Sequence, residues 1–114
     1  MLFRSFLDLW HSVLESSGFT AGCPVLVAAV EAAPELPGLT AVAGEQFASW
    51  EASFTRALRD AGLPRARAGR LATLVVAGLE GAIVLSRAAG DIGPLDRVGR
   101  ELELAVRDAL PAAS

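Results

Sequence analysis

The chain has a single cysteine, a single histidine, no lysine and aromatic residues at only 6%. With Cys23 alone there is no internal disulfide, and no Cys/His spacing suits a metal, so a reducing cytoplasm is the default compartment and no metal or cofactor site is expected. All ten positive charges are arginine against thirteen carboxylates, a formal net charge of −3, so the chain by itself lacks the clustered positive potential that grips a phosphate backbone. Strand-like alternation is missing, and so is a glycine-rich loop between a strand and a helix that could cradle a phosphate. The first ten residues carry Arg4 and Asp8 within an amphipathic pattern and no small-residue cleavage site, which excludes a signal peptide. The longest apolar stretch, Leu71 to Leu85, is broken by Glu80 and falls short of the roughly 20 residues a membrane span needs.

What is present is aliphatic surface. Hydrophobic residues make up 53% of 114 residues, carried by alanine, leucine and valine, which excludes disorder and leaves room for one domain, residues 1–114. So much apolar side chain exceeds what a small core hides, and it points to a dimer, a ligand cavity, a missing half or a membrane.

The periodicity is helical almost throughout and predicts five helices in an all-α bundle. Phe3, Phe6, Leu7, Trp10, Val13 and Leu14 recur at three- and four-residue steps, and Ser16-Ser17-Gly18 ends that segment. Pro24 opens a short second helix, apolar on every face and therefore expected to be buried all round, which Pro34, Pro37 and Gly38 close. A third helix, beginning between Pro37 and Thr40, runs to Ala61 with Phe47, Trp50, Phe54, Ala57 and Ala61 as its stripe; Gly62 ends it and Pro64 starts the next.

The fourth helix, to about Ala89, is apolar around its whole circumference beyond Leu71 except at Glu80 and Ser86. Gly78 and Gly81 in its interior each cost up to about 1 kcal/mol against alanine, which predicts close approach by another helix. After Asp91, Gly93 and Pro94, the last helix carries Leu95, Val98, Leu102, Ala105 and Ala109 as a seam flanked by charges of both signs.

Candidate chemistry is sparse. His11 lies away from most of the apolar stripe and reads as structural, not as a general base; no nucleophile and base are paired in sequence, and no enzyme is expected. Glu80 is the informative charge. It either pairs with an arginine across a helix interface, Arg97 or Arg100 being the nearest choices, or lines a pocket and reads a polar or cationic group on a ligand.

Gly22-Cys23-Pro24-Val25, the Phe47/Trp50/Phe54 helix, Ala61-Gly62-Leu63, the run from Leu74 to Ala82, and Pro94-Leu95 together resemble the C-terminal regulatory domain of TetR/AcrR-type transcriptional repressors, in the LmrA/YxaF-like branch. The resemblance covers nearly the whole chain. It implies an effector-binding and dimerisation domain whose last two helices form a four-helix bundle with those of a second copy. Ala77, Gly78, Gly81, Val84, Leu85, Leu95, Val98, Leu102 and Ala105 are the residues so placed. By position, it puts Trp10, Leu14, Cys23, Val27, Phe47, Trp50, Phe54 and Leu74 around a pocket for a small hydrophobic effector. No recognition helix with basic flanks is present, so this chain alone is expected to bind no nucleic acid, the DNA-binding head of the family being absent from it. The alternative is a stand-alone interaction protein that heterodimerises with a full-length regulator.

Overall fold

The computed structural model describes residues 2–31 and 37–111, and these form five α-helices: α1 (Leu2–Ser16), α2 (Pro24–Glu31), α3 (Pro37–Asp60), α4 (Arg65–Ala89) and α5 (Gly93–Ala109). Strands are absent among the described residues, as the periodicity predicts. The expected stop of the second helix at Pro34 lies outside the described residues.

Local chemistry sets the boundaries. Gly62, at φ 112°, follows the end of α3, with its own N–H bonded to the Arg59 carbonyl and the Leu63 N–H to the Leu58 carbonyl. That pair of bonds satisfies two end-of-helix carbonyls and buries Leu63 beneath the turn. The same arrangement closes α4, where Gly90 (φ 62°) donates to the Arg87 carbonyl and Asp91 to that of Ser86.

The N-terminus of α5 has no side-chain cap of its own, since Ile92 stands at the capping position. Instead the fully buried Ser86 hydroxyl of α4 accepts the Leu95 N–H at 3.0 Å. A neighbouring helix thus supplies the cap that the local sequence lacks. Ser86→Ala would leave the Leu95 amide buried and unpaired, so it is expected to lower unfolding free energy by about 1–2 kcal/mol in urea titration. An unchanged midpoint would show that Ser86 does not act as this cap.

The core is shared by α1, α3, α4 and α5. Leu14, Leu79, Ile83, Leu95 and Val75 are its most completely buried apolar side chains, and Phe6 meets Trp50 and Phe54 edge-on at its margin. Gly78 admits α5: a β-carbon there would stand 2.9 Å from a Leu102 methyl. This is the close helix approach that the glycine predicts. Gly81 has no such neighbour among the described residues.

The helices form a slab of 51 × 32 × 16 Å. Since a helix with its side chains is about 10–12 Å across, a body this thin cannot cover its central helix on every side. One expectation is corrected for that reason. α2 is not buried all round, because it packs chiefly on α3 and leaves Val27 and Val30 exposed. α4 is covered by α3 on one side and α5 on another, but Leu74, Ala77, Gly81, Leu85 and Ala88 stay open to solvent. By length and composition α4 could cross a membrane, yet half of its most apolar window lies buried against the other helices.

The α3 stripe shifts as well. Ala43, Phe54 and Leu58 are buried with Phe47 and Trp50 partly so, whereas Ala57 and Ala61 are exposed.

Candidate functional site

The midpoint of α4 is where the chain's chemistry concentrates. Residues 78 and 86 face α5, and Glu80, about 200° further round the helix from Gly78, faces α2 and α3 instead. This rotation removes Glu80 from Arg97 and Arg100, and the expected ion pair is not formed. Arg97 lies over the turn at Gly93 beside Asp91, and Arg100 lines a separate groove between α1 and α5.

Glu80 is only 5% exposed, and both carboxylate oxygens are buried without a hydrogen-bond partner among the described residues. Burial raises its pKa, an effect that the neighbouring Cys23 thiol partly offsets. Cys23 is itself pushed up, first by burial and then by the Glu80 charge, so at neutral pH it is a protonated thiol and a poor nucleophile.

Two open grooves flank this carboxyl group. One, of about 710 Å³, runs between α2, α3 and α4 and is lined by Leu26, Phe47, Glu51, Thr73, Val76, Ala77, Glu80, Gly81, Val84 and Leu85. Glu51 at its rim accepts a hydrogen bond from the Thr73 hydroxyl. The other, also about 710 Å³, lies between the α1–α2 connection, α2 and the end of α4, and includes Phe19, Cys23, Val27, Val30, Ile83 and Arg87. They share Leu26 and Val84, so the short helix α2 stands between them.

The eight residues placed around a pocket by resemblance are therefore divided. Cys23 and Val27 line the second groove and Phe47 the first. Leu14 is fully buried core, and Trp10 and Trp50 pack against that core. Phe54 borders a smaller apolar pocket between α1, α3 and α5. Leu74 is 53% exposed on the outer stripe of α4. Leu26, Val76 and Glu51 were not singled out by sequence. The apolar short helix was the only signal for Leu26, and Glu51 looks like an ordinary solvated charge in a helical pattern.

The residues placed at a second copy's interface divide too. Ala77, Gly81, Val84 and Leu85 lie open along α4. Leu95 and Leu102 are buried against the chain's own α4, Gly78 is filled by Leu102, and Val98 and Ala105 are half-buried beside them. The seam of α5 faces inward because α4 and α5 form a hairpin within one chain.

His11 is part of a surface network. Its Nδ1 is 2.7 Å from Glu15 within α1 and its Nε2 3.7 Å from Asp96, while Arg4 reaches Glu103 at 3.3 Å, so the last two pairs tie α1 to α5. Exposed pairs of this kind contribute about 0–1 kcal/mol each. No group of three or more metal-ligating side chains occurs among the described residues.

The chain is thus an all-helical slab with a buried carboxyl beside two open grooves. The sequence matches the family described as transcriptional regulator LmrA/YxaF-like, C-terminal domain, over residues 2–101, and the chain belongs to that family of TetR-type regulators. It is 35% identical over 99% of its length to the HTH-type transcriptional regulator Rv0196 of Mycobacterium tuberculosis, and 32% identical over 90% of its length to the HTH-type transcriptional regulator YxaF of Bacillus subtilis. It spans 61% of the first relative and 53% of the second. No solved structure matches the chain.

Proposed function

We propose that the chain is the effector-sensing and homodimerising part of a cytoplasmic TetR-type transcriptional repressor, with DNA contacted by a helix-turn-helix region of the full-length protein. The observation that carries this reading is the apolar stripe of α4. Leu74, Ala77, Gly81, Leu85 and Ala88 follow one another at steps of three and four residues, and Leu74 and Leu85 are 53% and 56% exposed. A continuous apolar line on a long helix is the surface that a second copy's α4 covers in a two-fold contact. The open grooves on the same side of α4 supply the sensing half.

The mechanism is a population shift. A small hydrophobic effector binds better to the conformation in which the DNA-reading heads are misplaced, and operator affinity falls by that differential binding energy.

Sedimentation equilibrium is expected to give twice the 11.8 kDa chain mass at micromolar concentration. A stable monomer there overturns the reading. Gly81→Leu sharpens the experiment, because a β-carbon at Gly81 touches nothing among the described residues. Overpacking at that position acts only through the partner, so it should weaken association without changing the monomer's fold.

A further inference from the structure

Accepting the sensing role, the remaining question is what chemistry the groove between α2, α3 and α4 selects. Its walls are apolar, with Leu26 from α2, Val76 and Leu85 from α4 and the aromatic ring of Phe47 from α3 among the lining. Its charged lining residues are both carboxylates, Glu80 and Glu51, although the chain carries ten arginines. Glu80 is more than nine-tenths buried, and both its oxygens lack a partner. A buried carboxyl without a charged partner is costly, and among the described residues only the neutral Cys23 thiol offsets part of that cost.

We propose that this groove binds an apolar ligand bearing one protonated nitrogen, with the ammonium group meeting Glu80 and the hydrocarbon body lying against Leu26, Phe47 and Val76. An ammonium supplies the donor that the carboxylate lacks, and a charge-assisted bond shielded from water is among the stronger pairings available. Phe47 adds the attraction of an aromatic face for a cation. Glu51 at the rim favours the same sign of charge. The neighbouring groove differs: Arg87 lines it, and a β-carbon built at Gly22 would lie 2.5 Å from the Arg87 guanidinium, so positive charge already stands there.

The groups that face Glu80 from the surrounding elements are the Cys23 thiol at the entrance to α2, Glu51 on α3 and, further along α4, Arg87. Cys23 stays neutral through the acid and neutral range because its own pKa is raised. Glu80 is the buried carboxyl at which the ammonium would sit, so the pH dependence of cation binding is read against Glu80→Gln.

The probes are 2-(1-naphthyl)ethylamine and the isosteric alcohol 2-(1-naphthyl)ethanol, measured by equilibrium dialysis against the native chain and Glu80→Gln. At pH 8 the native chain is expected to bind the amine about tenfold or more tightly than the alcohol. Glu80→Gln is expected to bring the two within about twofold while the alcohol's affinity holds, which also reports that the variant is folded. Lowering the pH through the raised range of Glu80 should shrink the preference in the native chain and leave the variant unaffected.

Equal binding of both compounds by the native chain overturns the charge selectivity and leaves the sensing role standing. A preference that survives Glu80→Gln and vanishes in Glu51→Gln places recognition at the rim and overturns the assignment to Glu80. Binding of neither compound by the native chain overturns this inference and removes the groove from the sensing role as well.

Discussion

A chain carrying Leu74→Glu and Leu85→Glu is expected to sediment as a folded monomer where the native chain is a dimer. The argument rests on exposure. Both leucines are more than half open in the isolated chain, and substitutions at such surface positions usually change stability by no more than about 0.5 kcal/mol. Opposite a second copy they would be buried, and two carboxylates per subunit would then have to be desolvated against leucine and alanine. Central apolar anchors of an interface commonly contribute 2 kcal/mol or more, so the pair should weaken association by about a hundredfold at least. Leu9→Glu provides the control, since Leu9 is 57% exposed on α1, away from the stripe. If Leu9→Glu disrupts the dimer and the double variant does not, the interface lies elsewhere.

Glu80→Gln is expected to raise the melting temperature at pH 8 and to have little effect near pH 4. The carboxyl has a higher pKa in the folded chain than in the unfolded one, because folding removes it from water without giving it a partner. As pH rises from the ordinary glutamate range, the unfolded chain releases this proton first, and native stability falls until the folded pKa is passed. Above that point the loss is complete and constant; below the unfolded pKa, both states are neutral and no penalty exists. Glutamine keeps the shape and removes the charge but leaves an amide buried in its place, so the gain at pH 8 is the cost of holding the ionised form out of water, on the order of 1 kcal/mol. In small domains each kcal/mol moves the melting temperature by roughly 4–8 °C. A variant that melts lower than the native chain at pH 8 would show that Glu80 has a stabilising partner. The same substitution should quicken alkylation of Cys23, because the Glu80 charge helps to hold the thiol protonated.

The parts of this fold that were legible in the sequence are those fixed by short-range chemistry. Pro24, Gly62, Pro64 and Pro94 mark helix boundaries through their own backbone preferences, and α2, α3, α4 and α5 begin or end within a residue or two of them. Gly78 was legible as a close approach because a glycine in a helix interior needs a packing reason. Which neighbour fills it, Leu102 of the same chain, depends on how α4 and α5 are wound together, and periodicity carries no such information.

The same limit explains the divided pocket. A stripe such as Phe47, Trp50 and Phe54 names a helix face but not what stands opposite, and the structure sets a groove, an aromatic cluster and the core along that one line. All-round burial of α2 failed for a related reason. An apolar circumference shows what a helix would accept as neighbours, whereas the number of neighbours is a property of the whole slab. Glu80 was visible as an interruption in an apolar run, but a two-residue offset from the α5-facing side, invisible without the packing, separates it from every arginine first considered.

Ser86 gives the α4–α5 hairpin a built-in reporter. Its hydroxyl belongs to one helix and the Leu95 amide it holds belongs to the next, so the bond exists only while the two are docked. Amide hydrogen exchange at Leu95 therefore reads the opening of the hairpin as a unit, separately from fraying at either helix end. Any event that slides α4 past α5, whether a ligand settling beside Glu80 or a subunit separating from the outer stripe, should register first as a change in the exchange rate of that one proton.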